Sequence, residues 1–222
     1  MFPDDVQARA RRVAEAVVRP LAAVGLTPNA ATVLGFLLNI VTAAVIASGH
    51  LTYGGLLLFI SAGFDMLDGA LARVMQRQSS FGAFLDSLLD RYSEAAILAA
   101  LIYDFAVRGD IGAVLLAYLV AVGSLMISYA RARAEGLGLE AKVGIAPRPE
   151  RVIILGIGLL ISFPATVAAL IILVILTHVT AIQRLYHVWR QTNGAYRTAT
   201  SEPDTSEPHK DLVSPRDPAA QS

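Results

Sequence analysis

The stretch that decides the fold reads Asp65-Met-Leu-Asp68-Gly69-Ala-Leu-Ala-Arg73 and resumes, after a short polar link, as Phe81-Gly82-Ala-Phe-Leu-Asp86-Ser-Leu-Leu-Asp90. It sets four carboxylates inside segments that otherwise read as lipid-embedded helix. Asp65 and Asp68 are three residues apart and share one helix face, while Asp86 and Asp90 are four apart and share a face of the next helix. The link from Val74 to Gly82 is short, so the two helices are antiparallel neighbours and the four acidic groups can converge. On insertion scales one carboxylate at the bilayer centre costs roughly 2.5–3.5 kcal/mol, so four of them require compensation. Arg73 and Arg91 can partner two of them but cannot neutralise four together with Glu94. Bound cations are the remaining compensation, and all-oxygen ligands suit magnesium or manganese.

Composition agrees with a membrane setting. The chain has 222 residues, of which 55% are hydrophobic and 16% charged, and a mean hydropathy of +0.57. These values exclude an ordinary soluble domain. The formal net charge is zero, so bulk charge says nothing about partners. There is no cysteine, which removes both a disulfide framework and a thiolate metal site. Asp4 and Asp5 stand where a signal peptide would be basic, so no cleaved signal is expected.

Outward from the acidic stretch, the pattern predicts an all-α membrane protein. Six transmembrane helices follow an amphipathic interfacial helix. Residues 1–27 form the amphipathic segment, with Val6, Ala10, Val13, Val17 and Leu21 at helical spacing and Arg9, Arg11, Arg12 and Arg19 elsewhere. A soluble helix packed on the protein is the other reading of that segment. Thr27-Pro28-Asn29 starts the first span, which is free of charge from Asn29 to Gly49. The second span runs from about Tyr53 to Val74, the third from about Gly82 to Tyr103 and the fourth from Ala113 to about Tyr129. The 32 uncharged residues from Val152 to Gln183 are too long for one crossing, and Phe163-Pro164 divides them into spans five and six. The transmembrane domain is therefore 28–190, and residues 191–222, rich in Ser, Thr, Pro, Glu and Asp, read as a disordered tail. Nearly all Lys and Arg flank one side, with Arg108 facing them from the other, which places both termini in the cytoplasm.

The pattern Asp65-x2-Asp68-Gly69-x2-Ala72-Arg73-x8-Gly82-x3-Asp86-x3-Asp90 resembles the signature of the CDP-alcohol phosphotransferases, with every fixed position present. The resemblance extends over almost the whole chain except its tail. It implies two magnesium ions, or manganese, with Asp65 and Asp86 touching both, Asp68 the first and Asp90 the second. It also implies that Asp90 is the general base for an acceptor hydroxyl, that CDP-diacylglycerol is the donor, and that CMP leaves. Donor contacts carry over to Gly69 and Arg73, and to Asn29, Thr32 and Ser79. Gly69 lacks a β-carbon, leaving room for a pyrophosphate, and Arg73 can bind phosphate in bidentate fashion. Asn29 can equally be a helix cap, and Thr32 and Ser79 can equally satisfy local backbone. Homodimerisation and contact with membrane lipid are implied too, with no nucleic-acid partner.

A second cluster bears on the acceptor. Arg131 and Arg133 leave the fourth span, and Arg148 and Arg151 enter the fifth, at the same depth as the aspartates. A basic pocket beside an acidic site suits an acceptor that carries its own phosphate. The other reading is an ordinary basic membrane flank, with Glu135 or Glu150 absorbing an arginine. Tyr129-x-x-Ala-Arg133-Ala-Glu135 and Arg148-Pro-Glu-Arg151 resemble the prokaryotic phosphatidylinositol-phosphate synthases and their archaeal ether-lipid counterparts. That likeness implies inositol phosphate as acceptor. Phosphatidylglycerophosphate synthesis is the alternative within the family, and a cation transporter is the alternative outside it. Arg184 is a further candidate for the pocket, and the four histidines share no ligand spacing.

Overall fold

The computed structural model describes residues 25–75 and 79–201, with the backbone alone at 66, 68 and 194–201. The amphipathic segment, apart from its last residues, and the end of the tail lie outside them. The described residues form six helices: α1 Pro28–Ala47, α2 Leu51–Val74, α3 Ser80–Val107, α4 Ile111–Glu135, α5 Arg148–Ile161 and α6 Phe163–Ser201. No strand occurs among the described residues.

Local chemistry sets the boundaries. Thr27, with Pro28 following it, caps α1 by accepting from the Ala30 amide at 3.2 Å. Gly49 and Gly109 take positive φ, 86° and 75°, in the tight turns that follow α1 and α3. Ser162 breaks the apolar run by turning extended, at φ −176° and ψ 169°. Its carbonyl accepts from the Thr166 amide, and its hydroxyl from the Ala165 amide, so that it caps α6. The division expected at Phe163-Pro164 therefore falls one residue earlier.

Three helices outrun their expected ends. α3 continues past Tyr103 because Asp104 is buried and pairs with Arg108 at 2.7 Å. α4 continues past Tyr129 with an i,i+4 pair, Arg131–Glu135, in its last turns. α6 runs to Ser201, beyond the boundary expected near Gln191.

Each helix packs on two others, closing the ring α1–α2–α5–α6–α4–α3. All six contribute to the central apolar core, through residues such as Ile46, Leu58, Leu101, Phe105, Val120, Leu159 and Leu170. Small residues allow close approach, as membrane helices require. A β-carbon on Gly158 would lie 2.7 Å from Ala169 Cβ, and one on Gly55 would lie 2.9 Å from Leu159 Cβ. Many large apolar side chains face outward, among them Leu37, Leu56, Leu115 and Ile182. α1, α2, α4 and the Phe163–Asn193 part of α6 are long and apolar enough to cross a membrane. α3 carries four acidic residues, Asp86, Asp90, Glu94 and Asp104, and α5 has 14 residues, a length of about 21 Å.

Candidate active site

The antiparallel pair α2 and α3 presents the aspartates near the end of the bundle where α1 and α5 begin. Asp65 comes from the second half of α2, and Asp86 and Asp90 from the first half of α3. Asp86 is close enough to both Asp65 and Asp90 to act on them electrostatically. Asp68 also lies on α2, and its side chain is outside the described residues.

The partner that gathers Asp65 and Asp90 is Arg148, the first residue of α5. Prolines 147 and 149 flank it and set the helix start. Its Nη2 lies 2.9 Å from Asp65 Oδ2, and its Nη1 lies 2.6 Å from Asp90 Oδ1. Arg91, expected as a partner from its place in the sequence, stands 3.7 Å from Asp90 Oδ2 and donates its better bond, 2.7 Å, to the Ser87 carbonyl. With a guanidinium between two of the carboxylates and Asp86 turned toward a neighbouring cavity, no three acidic or histidine side chains gather as a metal-holding group among the described residues. The donors still fit a hard cation. Asp65 and Asp90 aim one oxygen each at a common point from two helices, as the two bonds to Arg148 require.

Gly35 makes room for this arrangement. A β-carbon there would lie 2.9 Å from Asp65 Oδ1. The sequence reading missed it. The available signal was the face of α1 on which Thr32, Gly35 and Asn39 recur at helical spacing, a polar and small stripe in an apolar span.

Beside Asp86 a cavity of about 310 Å³ opens between α1, α2 and α3. That is the lower end of the range for small-molecule sites, roughly 300–1,000 Å³. Asn29, Thr32, Gly69, Arg73 and Ser79 all line it together with Asp86. The five residues expected to hold the donor thus come together from three helices. Asn29 is free of cap duty, which Thr27 performs. Thr32 and Ser79 carry both expected roles: Thr32 Oγ1 donates to the Pro28 carbonyl, and Ser79 Oγ accepts from the Gly82 amide, while both face the cavity. Gly82 keeps that wall tight, since a β-carbon there would lie 3.0 Å from both Asn29 Oδ1 and Ser79 Oγ.

The basic side is more differentiated than its sequence. Arg151 is 5% exposed. Its Nε and Nη2 each donate to Glu94 at 2.9 Å, and its Nη1 donates to the Ala146 carbonyl. In this state Arg151 is a strut between α3 and the start of α5 rather than an open phosphate ligand. Arg131 pairs with Glu135 and is exposed, and Arg133 is exposed nearby. Arg184 is buried and donates to the Val143 and Ile127 carbonyls, tying α6 to α4 and to the link before α5. Arg131, Arg151 and Arg91 all stand close enough to act electrostatically on Arg184.

Arg151→Ala should destabilise the fold, because it leaves the Glu94 carboxylate partly buried and unpaired. Breaking such a pair by removing one partner costs about 3–5 kcal/mol. Thermal unfolding in detergent checks this. An unchanged Tm with a raised acceptor KM would instead show Arg151 to be available to the acceptor.

Comparison with known proteins shows what the chain is similar to. The model of the CDP-alcohol phosphatidyltransferase family matches residues 25–189. An archaetidylinositol phosphate synthase of Pyrococcus horikoshii is 38% identical over 183 residues, covering 82% of this chain and 93% of its own. The crystal structure of Mycobacterium tuberculosis phosphatidylinositol phosphate synthase with CDP-DAG bound superposes with a TM-score of 0.76 at 35% identity, covering 80% of this chain and 94% of that one. The same enzyme in complex with manganese and citrate gives a TM-score of 0.75 at 35% identity, covering 79% and 88%.

Proposed function

The chain belongs to the CDP-alcohol phosphatidyltransferase family, and on that premise we propose that it transfers a phosphatidyl group from CDP-diacylglycerol to a hydroxyl of inositol phosphate, releasing CMP. The observation that carries this reading is the cavity shared by Asn29, Thr32, Gly69, Arg73, Ser79 and Asp86, with Asp86 close enough to Asp65 and Asp90 to act on both electrostatically. Inositol phosphate is favoured because the relatives above are named for it and because the aspartates adjoin a cluster of arginines. Family membership sets the cation-transporter reading aside. Glycerol phosphate is the competing acceptor.

Asp65, Asp68, Asp86 and Asp90 would hold two divalent ions, magnesium or manganese. When bound, they neutralise charge on the phosphates and clamp the displacement from both sides. Gly69 and Arg73 bind the pyrophosphate and orient it. Asp90 takes the proton from the acceptor hydroxyl. The acceptor oxygen forms a bond to the phosphorus next to the lipid, the bond from that phosphorus to the oxygen of CMP breaks, and a phosphodiester remains. Arg131, Arg133 and Arg148 hold the acceptor's phosphate, with Arg151 and Glu94 as the wall behind them.

The same reading makes all six helices membrane spans, with α3 crossing despite its acidic end and α5 short. It puts both termini on the cytoplasmic side of the cell membrane, and two copies of the chain in the working unit. The direct test is CMP release from CDP-diacylglycerol by the purified protein with each candidate acceptor in turn. Release should require a phosphorylated polyol, and equal turnover with free inositol, serine or choline would refute the proposal.

A further inference from the structure

Arg148 reaches across from α5 to carboxylates on two other helices, Asp65 on α2 at 2.9 Å and Asp90 on α3 at 2.6 Å. Both carboxylates belong to the set proposed above to hold divalent ions. One guanidinium therefore serves the same oxygens that a cation would need. A divalent ion drawn to them would meet the positive charge of Arg148 within a few ångströms, in surroundings that screen it poorly. The two occupants exclude each other.

Arg148 is also built to let go. Its side chain is 26% exposed. Its Nε is buried without a hydrogen-bond partner among the described residues, and the residue borders a small cavity of about 40 Å³ shared with Asn39, Ser93 and Glu94. Three residues further on, Arg151 shows the opposite design. Nε, Nη1 and Nη2 are all bonded, and the residue is 5% exposed. One arginine is fixed in the wall, while the other, among the described residues, is held by the groups that a cation would claim.

We infer that Arg148 is a displaceable counter-ion: it holds Asp65 and Asp90 together until a divalent cation displaces it, and it thereby sets the affinity of the site for metal. The inference rests on the proposed metal site and goes beyond it by assigning this residue an action on the ion in addition to its proposed contact with the acceptor's phosphate. Displacement would also free a guanidinium beside the acceptor side at the moment the metal arrives.

The test is a titration of the full-length protein in detergent with Mn²⁺, following free Mn²⁺ by electron paramagnetic resonance, alongside thermal unfolding. Arg148→Gln removes the competitor and should tighten Mn²⁺ binding roughly tenfold or more, the scale of a lost charge-assisted contact. It should also lower the Tm of the metal-free protein, and the rise in Tm on adding Mn²⁺ should be larger than in the unsubstituted chain. Arg148→Lys keeps the charge but reaches one carboxylate at a time, so its affinity should fall between the two. It decides the matter if the glutamine variant does not fold. Unchanged or weaker Mn²⁺ binding in the variants, with normal binding by the unsubstituted chain, overturns the inference and leaves the metal site standing. An unsubstituted chain that binds no Mn²⁺ overturns the metal site and the inference together.

Discussion

Asp90→Asn is expected to abolish measurable turnover while the protein still folds and still binds CDP-lipid. Asparagine keeps the shape of the side chain and can keep one contact to Arg148, whose other contact, to Asp65, is untouched. What it loses is the ability to take a proton from the acceptor hydroxyl, along with one negative ligand for the cation. Loss of a positioned base typically lowers a rate by 10²–10⁴-fold. The check is CMP release under saturating substrates, with Tm measured on the same preparation. Near-normal turnover would show that another group accepts the proton.

Removal of divalent cations should have an effect of the same order. Asp65 and Asp90 share one guanidinium, Asp86 acts on both, and Asp68 lies on the same helix as Asp65. Arg148 cannot balance that much negative charge, and it would not supply the charge neutralisation that bound divalent ions would give the donor's phosphates. Excess EDTA should stop CMP release, and added Mg²⁺ or Mn²⁺ should restore it. Full activity in excess EDTA would remove the metal from the account.

The sequence discloses this site unevenly, and the reason is physical. Local spacing places Asp65, Asp86 and Asp90 on neighbouring helices, because side-chain direction along a helix follows from residue number. The family resemblance, not spacing, brings Asn29, Thr32, Gly69, Arg73 and Ser79 together as donor contacts, and they line one cavity. Tertiary pairing is not written in spacing. Of the arginines next to the aspartates in sequence, Arg91 does reach Asp90, at 3.7 Å, but the closer contacts to Asp65 and Asp90 come from Arg148 on a distant helix. Glu94 looked like one more negative charge to be neutralised by metal, and instead it binds Arg151 through both oxygens. Gly35 was invisible because its importance lies in what a β-carbon would strike on another helix. The ends of helices were misjudged where polar residues continue the helix by pairing within it, as Asp104 with Arg108 and Arg131 with Glu135 do. An interruption within the last apolar run was legible, since an unbroken helix of that length would overshoot the bilayer, but the breaking residue is Ser162, which caps its successor.

The central claim is that the chain joins a CDP-activated lipid to a phosphorylated inositol. The most direct measurement incubates purified protein with CDP-diacylglycerol, Mg²⁺ and an equimolar mixture of inositol phosphate, glycerol phosphate, free inositol and serine, and identifies the lipid product by mass. The account predicts phosphatidylinositol phosphate as the dominant product, formed in step with CMP. Phosphatidylglycerophosphate, or a lipid carrying an unphosphorylated headgroup, as the main product would contradict it.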